Sequence, residues 1–135
     1  MRFLLDTHVL LWALGDVERL TPSVREAIQD PANDIFVSAA SGWEIGIKVA
    51  IGKLHIPDDL EEQMRAADLV TLPVTFEDGM AVRSLPRHHE DPFDRLLIVQ
   101  AMARQLTIVT GDRRITRYAV QCLELGPGTG TADGL

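Results

Sequence analysis

An α/β fold, with a parallel sheet covered by helices, is predicted by three features of the sequence. Short β-rich runs alternate with segments of helical periodicity. Glycine and proline stand where those helices should start and stop. No internal repeat or linker divides the chain. With 135 residues, 46% hydrophobic and 24% charged, it has the size and balance of one domain that can bury a core without disulfides or a structural metal.

The first strand is Arg2-Phe3-Leu4-Leu5, ending at Asp6. A helix follows, with Val9, Leu10, Trp12, Ala13 and Leu14 apolar and Gly15 stopping it. Thr21-Pro22 pairs an N-cap with proline at the first helical position, opening a second helix that carries Val24, Ala27 and Ile28. Ile35-Phe36-Val37 is the next strand. Ser38 to about Ile51 reads as a helix with Trp43, Ile47 and Ala50 on one side and Gly52 closing it. Pro57 opens another, with Leu60, Met64 and Ala67 on its inner face.

Leu69 to Val74 is a short strand, and Thr75 to about Leu85 a helix. Pro86 to Pro92 is a polar loop containing His88 and His89. Pro92 to about Gln105 is the clearest helix, burying Phe93, Leu96, Leu97, Val99, Ala101 and Ala103. Thr107 to Thr110 is a strand, followed by Gly111-Asp112 and a helical turn, and Val120 to Leu125 is the last strand. Residues 126–135, rich in glycine, are expected to form a flexible tail, leaving 1–125 as the folded domain.

Composition narrows the function. The single cysteine, Cys122, excludes an intramolecular disulfide and reads as a structural thiol in a reducing compartment. The N-terminal apolar run is too short for a signal peptide, and no stretch reaches the roughly 18 apolar residues of a membrane span, so a cytoplasmic protein is expected. A net charge of −7 argues against a broad basic face for nucleic acid. It does not exclude an enzyme that holds phosphate through bound cations. No glycine-rich phosphate loop is present, and the acids lack the placement of a phospho-acceptor domain or of an aspartate-nucleophile hydrolase.

Four acids carry the chemical argument: Asp6, Glu44, Asp94 and Asp112. In open α/β sheets, ligands bind beyond the carboxyl ends of the strands. Asp6 and Asp112 sit just there, although Asp6 also suits an N-cap and Asp112 a turn. Glu44 lies inside a helix between Trp43 and Ile45, and Lys48, four residues on, offers an ion pair. In Asp91-Pro92-Phe93-Asp94, Asp91 fits the N-cap, which leaves Asp94 turned back towards the strand ends. Thr110 is placed to orient a carboxylate or a water, with Lys48 a further supporting group. Grouped carboxylates repel one another, and hard cations, Mg²⁺ or Mn²⁺, relieve that repulsion through oxygen ligands. The reaction implied is metal-assisted hydrolysis of a phosphodiester, with no protein nucleophile.

Taken together, Leu5-Asp6-Thr7-His8-Val9-Leu10-Leu11-Trp12, the segment from Ser38 through Trp43-Glu44-Ile45 to Lys48 and Gly52-Lys53-Leu54, Asp91-Pro92-Phe93-Asp94-Arg95-Leu96-Leu97-Ile98, and Thr107 through Thr110-Gly111-Asp112 resemble a PIN domain of the VapC type. These are the toxin halves of bacterial toxin–antitoxin pairs. The resemblance runs from Met1 to about Leu125. It implies a three-layer α/β/α sandwich, with the family's four acids at Asp6, Glu44, Asp94 and Asp112 and its hydroxyl at Thr110. It also implies RNA as substrate, a homodimer, and a cognate antitoxin that occludes the site. Two alternatives stand beside this: a catalytically silent module that binds RNA or antitoxin, and a housekeeping RNA-processing nuclease.

The remaining candidates are weaker. Arg95 and Arg113, with Arg114 and Arg117, flank the acids and could contact RNA phosphates or simply be solvated. His88 and His89 read as a solvated loop, because adjacent loop residues rarely ligate one ion together. Trp12 and Trp43 read as core or dimer contacts.

Overall fold

The computed structural model describes residues 1–125. The tail expected over 126–135 lies outside the described residues. In chain order the elements are β1 (Arg2–Leu5), α1 (Thr7–Gly15), α2 (Pro22–Gln29), β2 (Asp34–Ser38), α3 (Ala39–Ala50) and α4 (Leu60–Ala66). They continue with β3 (Val70–Leu72), α5 (Phe76–Ala81), α6 (Pro92–Arg104), β4 (Thr107–Thr110) and β5 (Cys122–Glu124).

The strands form one parallel sheet in the order β3-β2-β1-β4-β5. Leu5 pairs with Val37 on one side and Val109 on the other. Alternation along β1 divides the core in two. Phe3 and Leu5 face Val9, Leu10, Val24, Ile45 and Leu60 of α1 to α4. Leu4 faces the other way, onto Leu97, Ile98 and Ala101 of α6. The result is the three-layer α/β/α sandwich that the sequence pattern and the resemblance imply. The central strands are buried on both faces: β1 is apolar from Phe3 to Leu5, and β4 buries Ile108 and Val109 between two threonines. Among the described residues no helix is long and apolar enough to cross a membrane.

Local chemistry sets the helix ends. Asp6, Thr21, Ser38, Thr75 and Asp91 cap five helices, each accepting a backbone N–H through its side chain. Pro22 and Pro92 occupy the first turns of α2 and α6. Gly52, at φ 76°, turns the chain after α3 in a conformation that other residues resist.

Four expectations need correction. The helix expected from Pro57 begins at Leu60, after a turn, and Ala67 is exposed at its C-cap. The helix expected to Leu85 ends at Ala81 and tightens into a 3₁₀ turn over Val82–Ser84, where Arg95 takes the carbonyls of Val82 and Leu85. Ala103 of α6 is exposed, while Ile98 and Gln100 are buried. In α3 the inward face is Ala40, Ser41, Glu44 and Ile45. Trp43, Ile47 and Ala50 point outward, and Trp43 is 63% exposed. Trp12 is buried in the core as expected. Cys122 is half-buried, and burial pushes its thiol up to about 11, an inert group.

A polar tether fixes α5 to α6. The buried Asp78 carboxylate accepts from Arg104 Nη1 (3.0 Å) and Nη2 (2.9 Å), from Gln100 Nε2 (3.2 Å) and from the Thr75 amide (3.0 Å). Burial alone would raise its pKa, but these donors outweigh it and hold the group below the usual carboxylate value. Its stabilisation is present above the unfolded-state pKa and is lost as pH falls through the lowered folded value. Asp78→Asn should therefore cost about 1.5–3 kcal/mol at neutral pH. In urea denaturation, the gap to wild type should narrow as pH falls below the unfolded-state aspartate value of about 3.9.

Candidate active site

Asp6 leaves the carboxyl end of β1 and caps α1. Its Oδ1 accepts from the Val9 amide (2.8 Å) and its Oδ2 from the Thr110 hydroxyl (2.5 Å). Cap and cleft residue are thus the same side chain, only 4% exposed. Burial raises its pKa to about 7, against the two hydrogen bonds and with help from the nearby charges of Asp94 and Asp112.

Glu44 comes from the inner face of α3 and is 5% exposed. The Thr7 hydroxyl donates to its Oε1 (2.7 Å) and lies 2.9 Å from Ser41 Oγ. Lys48 Nζ meets Oε2 at 2.7 Å, the ion pair that the helical spacing offered. Asp94 sits in the first turn of α6. Its neighbour Asp91 is the cap, accepting from the amides of Phe93 (2.8 Å) and Asp94 (3.1 Å) through one oxygen. Burial, with the charge of Asp91, raises the pKa of Asp94, while His89 opposes the shift.

Asp112 follows β4 across Gly111, where an added Cβ would come within 3.1 Å of Leu125 Cδ1. Its amide donates to Thr110 Oγ1 (2.9 Å), so one threonine hydroxyl links both strand-end acids. Arg114 chelates its carboxylate through Nε (3.1 Å) and Nη2 (2.9 Å). Burial would raise Asp112, but Arg114 and His89 leave its pKa below the ordinary value.

The four acids line one open cleft of about 270 Å³, with Lys48 and Arg113 also on its wall. His8 lies there too, its ring 6.0 Å from Trp12, and burial lowers its pKa. Arg95 does not reach the cleft wall. Its guanidinium donates to the carbonyls of Val82, Leu85, Pro86 and His89 and to the Tyr118 hydroxyl. The expectation of an RNA contact there gives way to a loop anchor, because these acceptors engage both terminal nitrogens.

His89 is the residue that the sequence reading missed. It is 2% exposed, not solvated, and its Nε2 lies 2.9 Å from Oδ2 of both Asp94 and Asp112. Hydrogen bonding to Asp94 raises its pKa, burial opposes this, and Asp112 adds to the rise. His88 remains exposed, edge-on to Tyr118. Successive residues of a loop can face opposite ways, so the argument against two adjacent ligands never excluded one of them turning inward.

The donor set suits a hard cation. Its carboxylates converge on one cleft, and burial above all, with the neighbouring acids adding to it, raises the pKa values of Asp6 and Asp94. Oxygen ligands of this kind match Mg²⁺ or Mn²⁺.

Comparison with known proteins agrees. The PIN domain family model matches residues 3–121. Ribonuclease VapC22 of Mycobacterium tuberculosis (strain ATCC 25618 / H37Rv) is 31% identical over 130 residues, covering 85% of this chain and 90% of that protein. In fold, the chain is similar to VapBC2 from Rickettsia felis, crystallised with a DNA fragment from its promoter. The TM-score is 0.70 at 15% identity, over 93% of this chain and 100% of that one. DNA-bound VapBC from Salmonella typhimurium gives a TM-score of 0.63 at 17% identity, over 92% and 98%. The chain belongs to the PIN-domain family, and within it to the VapC type.

The buried Asp6 carboxylate destabilises the metal-free fold as pH rises from its unfolded value towards about 7. Asp6→Asn keeps a capping side chain and removes that charge. The variant should gain on the order of 1–3 kcal/mol at about pH 8, shrinking towards pH 4. Thermal melts in chelator would check this.

Proposed function

We propose that this chain is a divalent-metal-dependent endoribonuclease, the toxin of a VapBC-like pair. The observation that carries the reading is the convergence of Asp6, Glu44, Asp94 and Asp112 on one cleft at the carboxyl end of β1 and β4. Of the four acids expected as ligands, Asp6, Asp94 and Asp112 would hold Mg²⁺ or Mn²⁺, and Glu44, whose two oxygens are engaged by Thr7 and Lys48, would complete the acidic wall. A bound cation would polarise water for attack on phosphorus and neutralise charge on the phosphate oxygens.

The protein's own groups prepare this site. Thr110 fixes Asp6, and Thr7 fixes Glu44. Lys48 and Arg113 offer positive charge at the rim for flanking phosphates. The ribonuclease VapC22 relative supports RNA as substrate, the VapBC complexes support an antitoxin partner, and a cytoplasmic setting would suit the single unpaired cysteine. Residues 1–125 would be the working domain. The exposed stripe of Trp43, Ile47 and Ile51 on and just after α3 supports a homodimer formed with a second copy.

Asp94→Asn should abolish cleavage of RNA by purified protein, a loss of at least about 100-fold, because the metal is what makes the nucleophile at neutral pH. Asp91→Asn should retain most activity, because asparagine also caps. Cleavage by Asp94→Asn at the wild-type rate would refute the metal site. Loss in Asp91→Asn would show that the two acids were assigned the wrong way round. Mn²⁺ affinity, measured calorimetrically, should strengthen between about pH 6 and about pH 8, because Asp6 must lose its proton to ligate. A flat profile would count against Asp6 as a ligand.

A further inference from the structure

A buried imidazole among carboxylates can act as a metal ligand or as a hydrogen-bond donor, and its second nitrogen distinguishes the two. A metal-ligating histidine normally carries its proton on the far nitrogen and donates it to an oxygen. In His89 the far nitrogen, Nδ1, lies 3.1 Å from the backbone nitrogen of Asp91, which is itself a donor. In the neutral ring Nδ1 therefore presents a lone pair to that amide, and the ring hydrogen sits on Nε2. Binding a cation at Nε2 would require either an imidazolate or the loss of the Asp91 hydrogen bond.

We infer that His89 is a positioning residue, whose Nε2–H is one donor shared between Asp94 and Asp112 and holds these two acids side by side without ligating the cation. The inference rests on the metal-site reading above and deepens it. Asp94 comes from the first turn of α6 and Asp112 from the loop after β4. Like charges would drive these separate elements apart. A single N–H, 2.9 Å from Oδ2 of each, is attractive to both.

The surrounding loop is built to aim that hydrogen. The His89 amide donates to the Tyr118 hydroxyl (2.9 Å), which donates to the Pro86 carbonyl (2.7 Å). Arg95 Nη1 holds the carbonyls of His89 (3.1 Å) and Pro86 (2.9 Å). The backbone is thus pinned on both sides of the ring, and the Asp91 amide fixes its rotation. This also gives Asp91 a second function: its side chain caps α6 and its main chain sets the face that His89 presents.

The test compares His89→Gln, His89→Ala and His89→Glu with wild type in the full chain. Glutamine places an amide N–H near the position of Nε2, alanine removes the donor, and glutamate replaces it with an oxygen ligand. Calorimetric Mn²⁺ titration should put the glutamine variant within about threefold of wild type and the alanine variant about tenfold or more weaker. The glutamate variant should not bind more tightly than the glutamine variant. Saturating Mn²⁺ should return most of the alanine variant's kcat, which a collapsed loop would not allow.

Histidine ¹⁵N NMR of the metal-free protein should show the His89 proton on Nε2. Pulsed electron paramagnetic resonance of the Mn²⁺-loaded protein should show no directly bound nitrogen. A bare Nε2, a bound nitrogen, an unaffected alanine variant, or a glutamate variant tighter than glutamine would each overturn the inference. If wild type binds no Mn²⁺, the nuclease reading fails, and the tautomer measurement still decides the donor role.

Discussion

The parallel pairing of β1 with β4 at the middle of the sheet brings two strand ends into register, with Leu5 opposite Val109. From there the chain turns into α1 at one strand and, through Gly111, towards Asp112 at the other. Strand order steps from β1 to β4 at this point, so the connections diverge to opposite faces, α1 to one and the turn carrying Ile115 to the other, and leave a crevice. The remaining acids reach it only because α3 and α6 pack beside these two strands. Thr110 ties the arrangement together, donating to Asp6 while accepting from the Asp112 amide.

That placement sets stability against function. The same sheet that buries Leu5 and Val109 completely also removes Asp6 from water, and a carboxylate held so is expensive to ionise. The fold offsets part of the cost with fixed dipoles. The N-termini of α1 and α6 both meet the acids, and their amides bond to Asp6 and Asp91. Elsewhere the polar groups are arranged conventionally, as where Asp78 is matched by Arg104 and Gln100.

Much of this was legible in the sequence because it is local. Thr21-Pro22 and Asp91-Pro92 announce helix starts within two residues, and strand-end acids follow from strand ends. What was not legible depends on distant partners. Apolar spacing in α3 pointed to Trp43 and Ile47 as its inner face, yet Thr7 from α1 draws Glu44 inward and rotates the helix accordingly. Likewise, Arg95 read as a candidate RNA contact and His89 as a solvated loop residue. Distant partners make one a half-buried anchor on the carbonyls of Val82, Leu85, Pro86 and His89, and Tyr118, 29 positions beyond His89, helps to hold the other as a buried donor.

Asp6 combines two functions in one carboxylate, with one oxygen on the Val9 amide and the other facing Thr110 across the cleft. Chemistry and architecture therefore constrain the position separately. Glutamate would preserve the charge but displace the cap by a methylene, and alanine would lose both. A descendant that abandoned the chemistry would still have α1 to begin, so position 6 should drift to asparagine or serine rather than at random. Silencing of this fold would leave a recognisable trace: a polar cap surviving at the end of β1 after the charges around it had gone.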